Sequence, residues 1–143
     1  MKSKNIASVL MTVAALAMTP SAVAADVVVV VGAKSAVGNL TTEQVSQLFL
    51  SKTNAFPGGT LAVPLDQTDG TAERTEFYAK VTKKTAAQLN AYRSNLLFSG
   101  KGQAPKEVAG NANIKKLVAD NPNMIGYIEK SAVDSSVKVV LTP

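Results

Sequence analysis

Ala62-Val63-Pro64-Leu65-Asp66-Gln67-Thr68-Asp69-Gly70-Thr71-Ala72-Glu73-Arg74-Thr75-Glu76-Phe77 is the stretch on which the fold turns. Thr60 to Leu65 reads as a short apolar strand. Residues 66–71 make a polar connection holding one glycine. A helix over 73–83 follows, with Phe77, Tyr78 and Val81 as its apolar stripe. Strand, tight connection and helix form the unit from which layered α/β domains are built.

The flanking sequence repeats this alternation. Asp26 to Val31 carries five consecutive valines, and an unbroken β-branched run predicts a central strand buried on both faces. After a loop over 32–39, Thr41, Thr42 and Gln44 offer a capping-box start to a helix of about ten residues. Val45, Leu48 and Phe49 form its apolar stripe, and Pro57-Gly58-Gly59 marks the turn that follows. Thr85 and Gln88 form a second capping-box pair, opening a helix with Leu89, Tyr92, Leu96 and Leu97 at helical spacing. Ser99 to Pro105 reads as a loop. Asn113 to Asp120 reads as a short helix stopped by Asn121-Pro122. Met124–Ile128 and Val137–Leu141 read as the last two strands. The order β-α-β-α-α-α-β-β predicts a single layered α/β domain, a mostly parallel sheet with flanking helices. The last two strands lie close in sequence and are the place where that pattern can break.

Composition narrows the chemistry. The 143 residues include no Cys, no His and no Trp. Imidazole and thiolate ligands, disulfides, and Ser-His or Cys-His catalysis are therefore excluded. Lys2 and Lys4, the apolar run Ile6–Met18, the break at Pro20 and the small-residue site Ala22-Val23-Ala24 together have the three-part form of a secretory signal. Residues 1–24 are accordingly expected to be a cleaved signal peptide and residues 25–143 one exported, periplasmic domain. That leader holds two of the 15 basic residues and none of the 10 acidic ones, so the net charge of +5 falls to +3 beyond it. So small a surplus suits a small anion better than a nucleic acid.

The 62–77 segment also carries the most telling chemistry. The first turn of a helix presents unpaired N–H groups and a partial positive charge. Gly70 allows close approach to the backbone, Thr71 supplies a hydroxyl, and Arg74 in the first turn can offer a bidentate contact to an oxyanion. A plain loop, with Asp69 or Thr71 as N-cap and a solvated Arg74 paired to a nearby Glu, accounts for the local pattern at least as well.

Three motifs in order resemble the phosphate-binding substrate-binding proteins of ABC transporters, with the type II periplasmic binding fold. Asn39-Leu40-Thr41-Thr42-Glu43-Gln44-Val45-Ser46-Gln47-Leu48-Phe49-Leu50-Ser51-Lys52 is similar to that family's L-t-x-e-q-l-x-x-I-F-x-G-K helix. The Gly70-Thr71 segment resembles its Asp-Gly-Ser-Gly-Thr phosphate loop. Asn121-Pro122-Asn123-Met124-Ile125-Gly126-Tyr127-Ile128 resembles its x-P-G-a-I-G-Y-v strand. Short relatives carry G-S-x-x-R-x-x-F, similar to Gly70-Thr71-Ala72-Glu73-Arg74-Thr75-Glu76-Phe77. The family's usual Arg falls at Leu65 and its usual Ser at Asp69, a residue that can accept from a protonated phosphate oxygen.

The resemblance implies one lobe of a family that clamps its anion between two. It implies a non-enzymatic solute-binding domain for a small inorganic oxyanion, phosphate first, linked to ABC-type uptake. The implied site is Asp69, Gly70, Thr71, Ala72 and Arg74, with no cofactor and no metal. Expected partners are the oxyanion, an ABC permease or other envelope protein, and a second copy in a homodimer, with no nucleic acid. The alternative is an interaction or sensing module derived from one such lobe.

Other motifs are weaker. Ser135-Ser136-Val137-Lys138 matches S-x-x-K but leads into a strand instead of opening a helix. Asp66, Asp69, Glu73 and Glu76 read as a solvated face sooner than as a glycosidase pair. Lys83-Lys84 and Lys115-Lys116 read as solvated charges, and Phe98-Ser99-Gly100-Lys101-Gly102 lacks nucleotide-loop spacing. Phe49, Phe77, Tyr92 and Tyr127 are expected in the core.

Overall fold

The computed structural model describes residues 25–143, and the signal-peptide expectation for residues 1–24 lies outside them. The valine run forms β1 (Val27–Gly32), buried at every position. It is followed by α1 (Thr42–Phe49), β2 (Val63–Asp66), α2 (Ala72–Val81), α3 (Ala86–Ser99), β3 (Lys106–Glu107), α4 (Asn111–Asp120), β4 (Met124–Glu129) and β5 (Val137–Leu141). A 3-10 turn over Lys130–Ala132 links the last two strands.

The sheet order is β3-β2-β4-β1-β5. β2 runs parallel to both β3 and β4, whereas β1 is antiparallel to both β4 and β5. Four of the five strands therefore share one direction, and β1 alone opposes them. The last two strands do not pair with each other; β1 lies between them. β3 answers to no strand signal in the sequence: it is two exposed residues at the sheet edge, in the stretch after the expected loop.

Successive side chains of β1 point to opposite faces, and each face is covered. Val27, Val29 and Val31 pack in a cluster with Val45, Leu48 and Phe49 of α1 and Phe77, Tyr78 and Val81 of α2. Val28 and Val30 pack with Leu65, Ile128 and, from α4, Ile114 and Val118. The domain is thus three layers, helix on sheet on helix. Phe77 stacks on Tyr127 at 3.9 Å between ring centroids, and Phe49 meets Phe77 edge-on at 4.7 Å. Gly126 lets α4 press onto β4, because a Cβ there would stand 2.6 Å from Ile114 Cγ2.

Both capping boxes form. Thr41 Oγ1 accepts from Gln44 N–H while Gln44 Oε1 accepts from Thr41 N–H, and Thr85 and Gln88 repeat the arrangement. The apolar stripe expected along α3 is only partly realised. Leu89 is buried and Tyr92 is half-buried, with its hydroxyl donating to the Leu50 carbonyl at 2.6 Å. Leu97 and Phe98 instead face solvent, at 74% and 91% exposure. Helical spacing brought them to the outer side of a helix that runs past the edge of the core. Among the described residues no helix is long and apolar enough to cross a membrane.

Candidate functional site

β2 runs from half-buried residues into the core and ends at Asp66, with Gln67 just beyond it, at 0% and 2% exposure. The sequence places Asp66 on a solvated acidic face, and the structure corrects that reading. Asp66 is a carboxylate sealed in the core, and it persists there because donors surround it. Its Oδ1 accepts from the Tyr127 hydroxyl and from Gln67 N–H. Its Oδ2 accepts from the Tyr78 hydroxyl at 2.8 Å and from Arg93 Nη2 at 2.6 Å. Arg74 Nη1 stands 3.7 Å from the same oxygen.

Burial, reinforced by the Asp66 charge, pushes the Tyr78 hydroxyl well above the ordinary phenol range. The same two causes, with a further push from Tyr78, raise Tyr127. Burial works against the Arg93 charge, but Tyr78 and Asp66 outweigh it and the guanidinium is held more firmly protonated. Both guanidinium groups lie near the Tyr78 ring, Arg93 at 5.2 Å and Arg74 at 5.9 Å from its centroid.

The connection beyond Gln67 is a tight turn. Gly70 has φ +84°, a left-handed conformation that glycine adopts without a Cβ clash. Thr71 caps α2: its Oγ1 accepts from Arg74 N–H and donates to the Thr68 carbonyl at 2.8 Å, and its own N–H also reaches Thr68. The hydroxyl expected to meet a ligand is therefore engaged in shaping the turn. The N–H groups of Gly70 and Ala72 make no hydrogen bond to another described residue.

Arg74 is not the solvated side chain of a plain loop. It is 6% exposed. Its Nη1 donates to the Gln67 carbonyl at 3.1 Å and to Glu107 Oε2 at 3.4 Å, and its Nε stands 3.9 Å from Asp69 Oδ1. Asp69 and Glu107 are exposed carboxylates at the mouth of this arrangement. Three carboxylates thus face two guanidinium groups. The recess between Asp69, Arg74, Thr75 and Tyr78 holds about 10 Å³, room for about one water.

Asp69, Gly70, Thr71, Ala72 and Arg74 lie together at the turn and in the first turn of α2. The structure adds Asp66, Gln67, Tyr78, Arg93 and Glu107, which sequence reasoning missed as members of one cluster. These come from β2 and the residue after it, α2, α3 and β3, and share no sequence spacing. Among the described residues no group of His, Cys, Asp or Glu is arranged to hold a metal ion.

The fold is that of a lobe of the phosphate-type substrate-binding proteins, and the chain is a short structural relative of them. One similar structure is a protein from Clostridium perfringens, assigned as a phosphate ABC transporter substrate-binding protein and solved with bound phosphate. It has a TM-score of 0.63 and 25% identity, over 81% of this chain and 44% of that one. An ABC-type phosphate transport receptor from Vibrio cholerae matches at TM-score 0.64 and 18% identity, over 81% and 45%. PstS from Borrelia burgdorferi matches at 0.60 and 11%, over 81% and 46%. The chain spans less than half the length of each of these structures. No family model matches the sequence. No curated protein matches it either.

Proposed function

We propose that this chain is an exported, periplasmic solute-binding domain that captures a small oxyanion, phosphate first, at the Gly70 turn, and serves ABC-type uptake. The observation that carries the reading is Arg74. A buried guanidinium is fixed on the Gln67 carbonyl, with Nε toward an exposed carboxylate at the first turn of a ten-residue helix. In this reading the Asp69 carboxylate stands where the oxyanion docks. The anion displaces it, takes the N–H groups of Gly70 and Ala72, and receives the Arg74 fork, while Thr71 holds the turn in shape. No covalent step is involved. Similarity to phosphate-transport binding proteins, one of them solved with phosphate, supports the choice of anion.

Calorimetric titration of the purified protein with phosphate and with sulfate tests this. Phosphate should give saturable heat, and Arg74→Ala should weaken it by about 10- to 100-fold, the worth of a charged hydrogen bond. Asp69→Asn should tighten it. Arg74→Lys keeps the charge without the fork and should fall between. No heat at millimolar phosphate overturns the reading, and unchanged affinity in Arg74→Ala removes the proposed site. The excess of carboxylates at the site and the exposed Leu97 and Phe98 favour a second reading, an interaction or sensing module built on one lobe.

A further inference from the structure

A larger cavity opens at the other end of β2. It measures about 640 Å³ and lies between the end of α1, the start of β2 and the segment joining α3 to β3. That is the size of pockets that hold small organic ligands, which run about 300–1,000 Å³. Lys52, Lys101 and Lys106 line it, and no Asp or Glu does. Among the described residues none of these three lysines forms an ion pair; the paired ones are Lys80 and Lys115. Val63, Pro64 and Pro105 supply apolar lining.

The walls are fixed to one another. Ser51 Oγ donates to the Gln103 carbonyl at 2.5 Å, joining the end of α1 to the loop that bears Lys101. Ser51 itself sits at φ +57°, a left-handed conformation held by backbone bonds from Ser51 to Leu48 and from Lys52 to Gln47. Ala62 N–H donates to the Asn54 carbonyl at 2.8 Å and closes the third side. Three cations on two stretches, Lys52 after α1 and Lys101 and Lys106 on the run into β3, are therefore held around one cavity without internal neutralisation, which focuses a positive potential there.

We propose that this groove is a second binding site, for organic anions that carry two or more negative charges on a carbon frame. The carbon frame follows from the apolar lining and from a volume beyond what a single tetrahedral oxyanion fills. The multiple charge follows from three unpaired ammonium groups. The site is distinct from the Gly70 turn. Its residues lie after α1, at the start of β2 and along 101–106, whereas the turn lies beyond the end of β2; the two come nearest at β3, where Glu107, next to Lys106, accepts from Arg74.

Amide chemical shifts of the isotope-labelled protein, titrated with citrate and with phthalate, test it. Inorganic phosphate is the size control. Shifts are expected at residues 51–54 and 101–106, saturating with citrate and phthalate and smaller with phosphate. Joint Lys52→Ala and Lys101→Ala substitution should weaken citrate by at least about tenfold, and Lys→Arg at the same positions should restore it. Raising ionic strength should weaken binding in parallel. All three lysines are exposed, so the variants should fold as the parent does. Arg74→Ala, which reaches this groove only through the contact to Glu107 beside Lys106, should leave the citrate shifts at residues 51–54 and 101–104 intact, which separates this site from the oxyanion site. The proposal is overturned if residues 51–54 and 101–106 do not respond. It is equally overturned if citrate shifts fall on residues 69–74 instead, if the alanine variants bind as the parent does, or if phosphate shifts the groove as strongly as citrate.

Discussion

Raising the pH should unfold this protein through two tyrosines. Tyr78 and Tyr127 are buried, and both hydroxyls donate to Asp66. Removing either proton in the folded state would place a phenolate against a carboxylate in the core. Burial and that carboxylate therefore hold both groups above the ordinary phenol range. In the unfolded chain both ionise near pH 10. Below that pH the two states bind the same tyrosine protons and the stabilisation is fully present. Above it the unfolded chain releases protons that the folded chain keeps, so stability falls. Each tyrosine lowers it by about 1.4 kcal/mol per pH unit once well past pH 10. Integrated from neutral pH, the pair removes about 2.8 kcal/mol at pH 11 and about 4 kcal/mol at pH 11.5. A domain stabilised by about 5–15 kcal/mol feels that strongly.

Urea unfolding followed by circular dichroism at pH 7, 9, 10 and 11 measures the effect. Tyr127→Phe is the control. At neutral pH it should cost about 1–3 kcal/mol, because Asp66 Oδ1 and Gln67 N–H each lose a partner. Its further loss between pH 9 and 11 should be about half that of the parent. If stability changes by less than about 0.5 kcal/mol over that interval, the reasoning fails. It fails as well if Tyr127→Phe declines as steeply as the parent.

Three further outcomes are expected. Asp66→Ala leaves two hydroxyls, an N–H and Arg93 without their shared acceptor and should cost about 3–5 kcal/mol, read from denaturant midpoints. Gly126→Ala should lower stability by about 1–3 kcal/mol through overpacking. Ile114→Ala in the same chain should recover part of that loss in a double-mutant cycle, because it removes the Cγ2 that the new methyl meets. Joint Leu97→Ser and Phe98→Ser should leave stability within about 0.5 kcal/mol while reducing binding of an apolar dye.

Legibility in the sequence followed the range of the interactions involved. β1 was readable because five valines in a row state their own burial, and both capping boxes because their partners lie three residues apart. β3 was unreadable because it exists only by pairing Lys106 and Glu107 with Leu65 and Asp66, some 40 residues earlier. The turn at Gly70 and the cap at Thr71 were visible locally. The burial of Asp66 was not, since Tyr78, Arg93 and Tyr127 reach it from 12, 27 and 61 residues away. A strand running into Asp-Gln looks the same in sequence whether that aspartate meets water or a ring of donors. Helical periodicity placed Leu89 correctly and Leu97 wrongly for a related reason: it gives the face of a helix and not how far the core extends along it.

The buried carboxylate joins the site's architecture to the stability of the fold. Asp66, at the end of β2, binds groups from the residue after it and from β4, α2 and α3, and Arg74 leans on the same oxygen that Tyr78 and Arg93 use. Substitutions that loosen this cluster should act twice: they lower global stability, and they free the Arg74 guanidinium, which the proposed oxyanion capture needs held in place. Preorganisation strengthens binding by removing the ordering cost that a mobile side chain would bear on association. Under the proposed function, loss of Arg93 should therefore weaken oxyanion binding at the Gly70 turn even though Arg93 need not touch the anion. Arg93→Lys, which keeps the charge but not the planar fork, should recover stability more fully than it recovers affinity. A variant that regains both in proportion would place Arg93 in a purely structural role and leave Arg74 positioned by Gln67 and Glu107 alone.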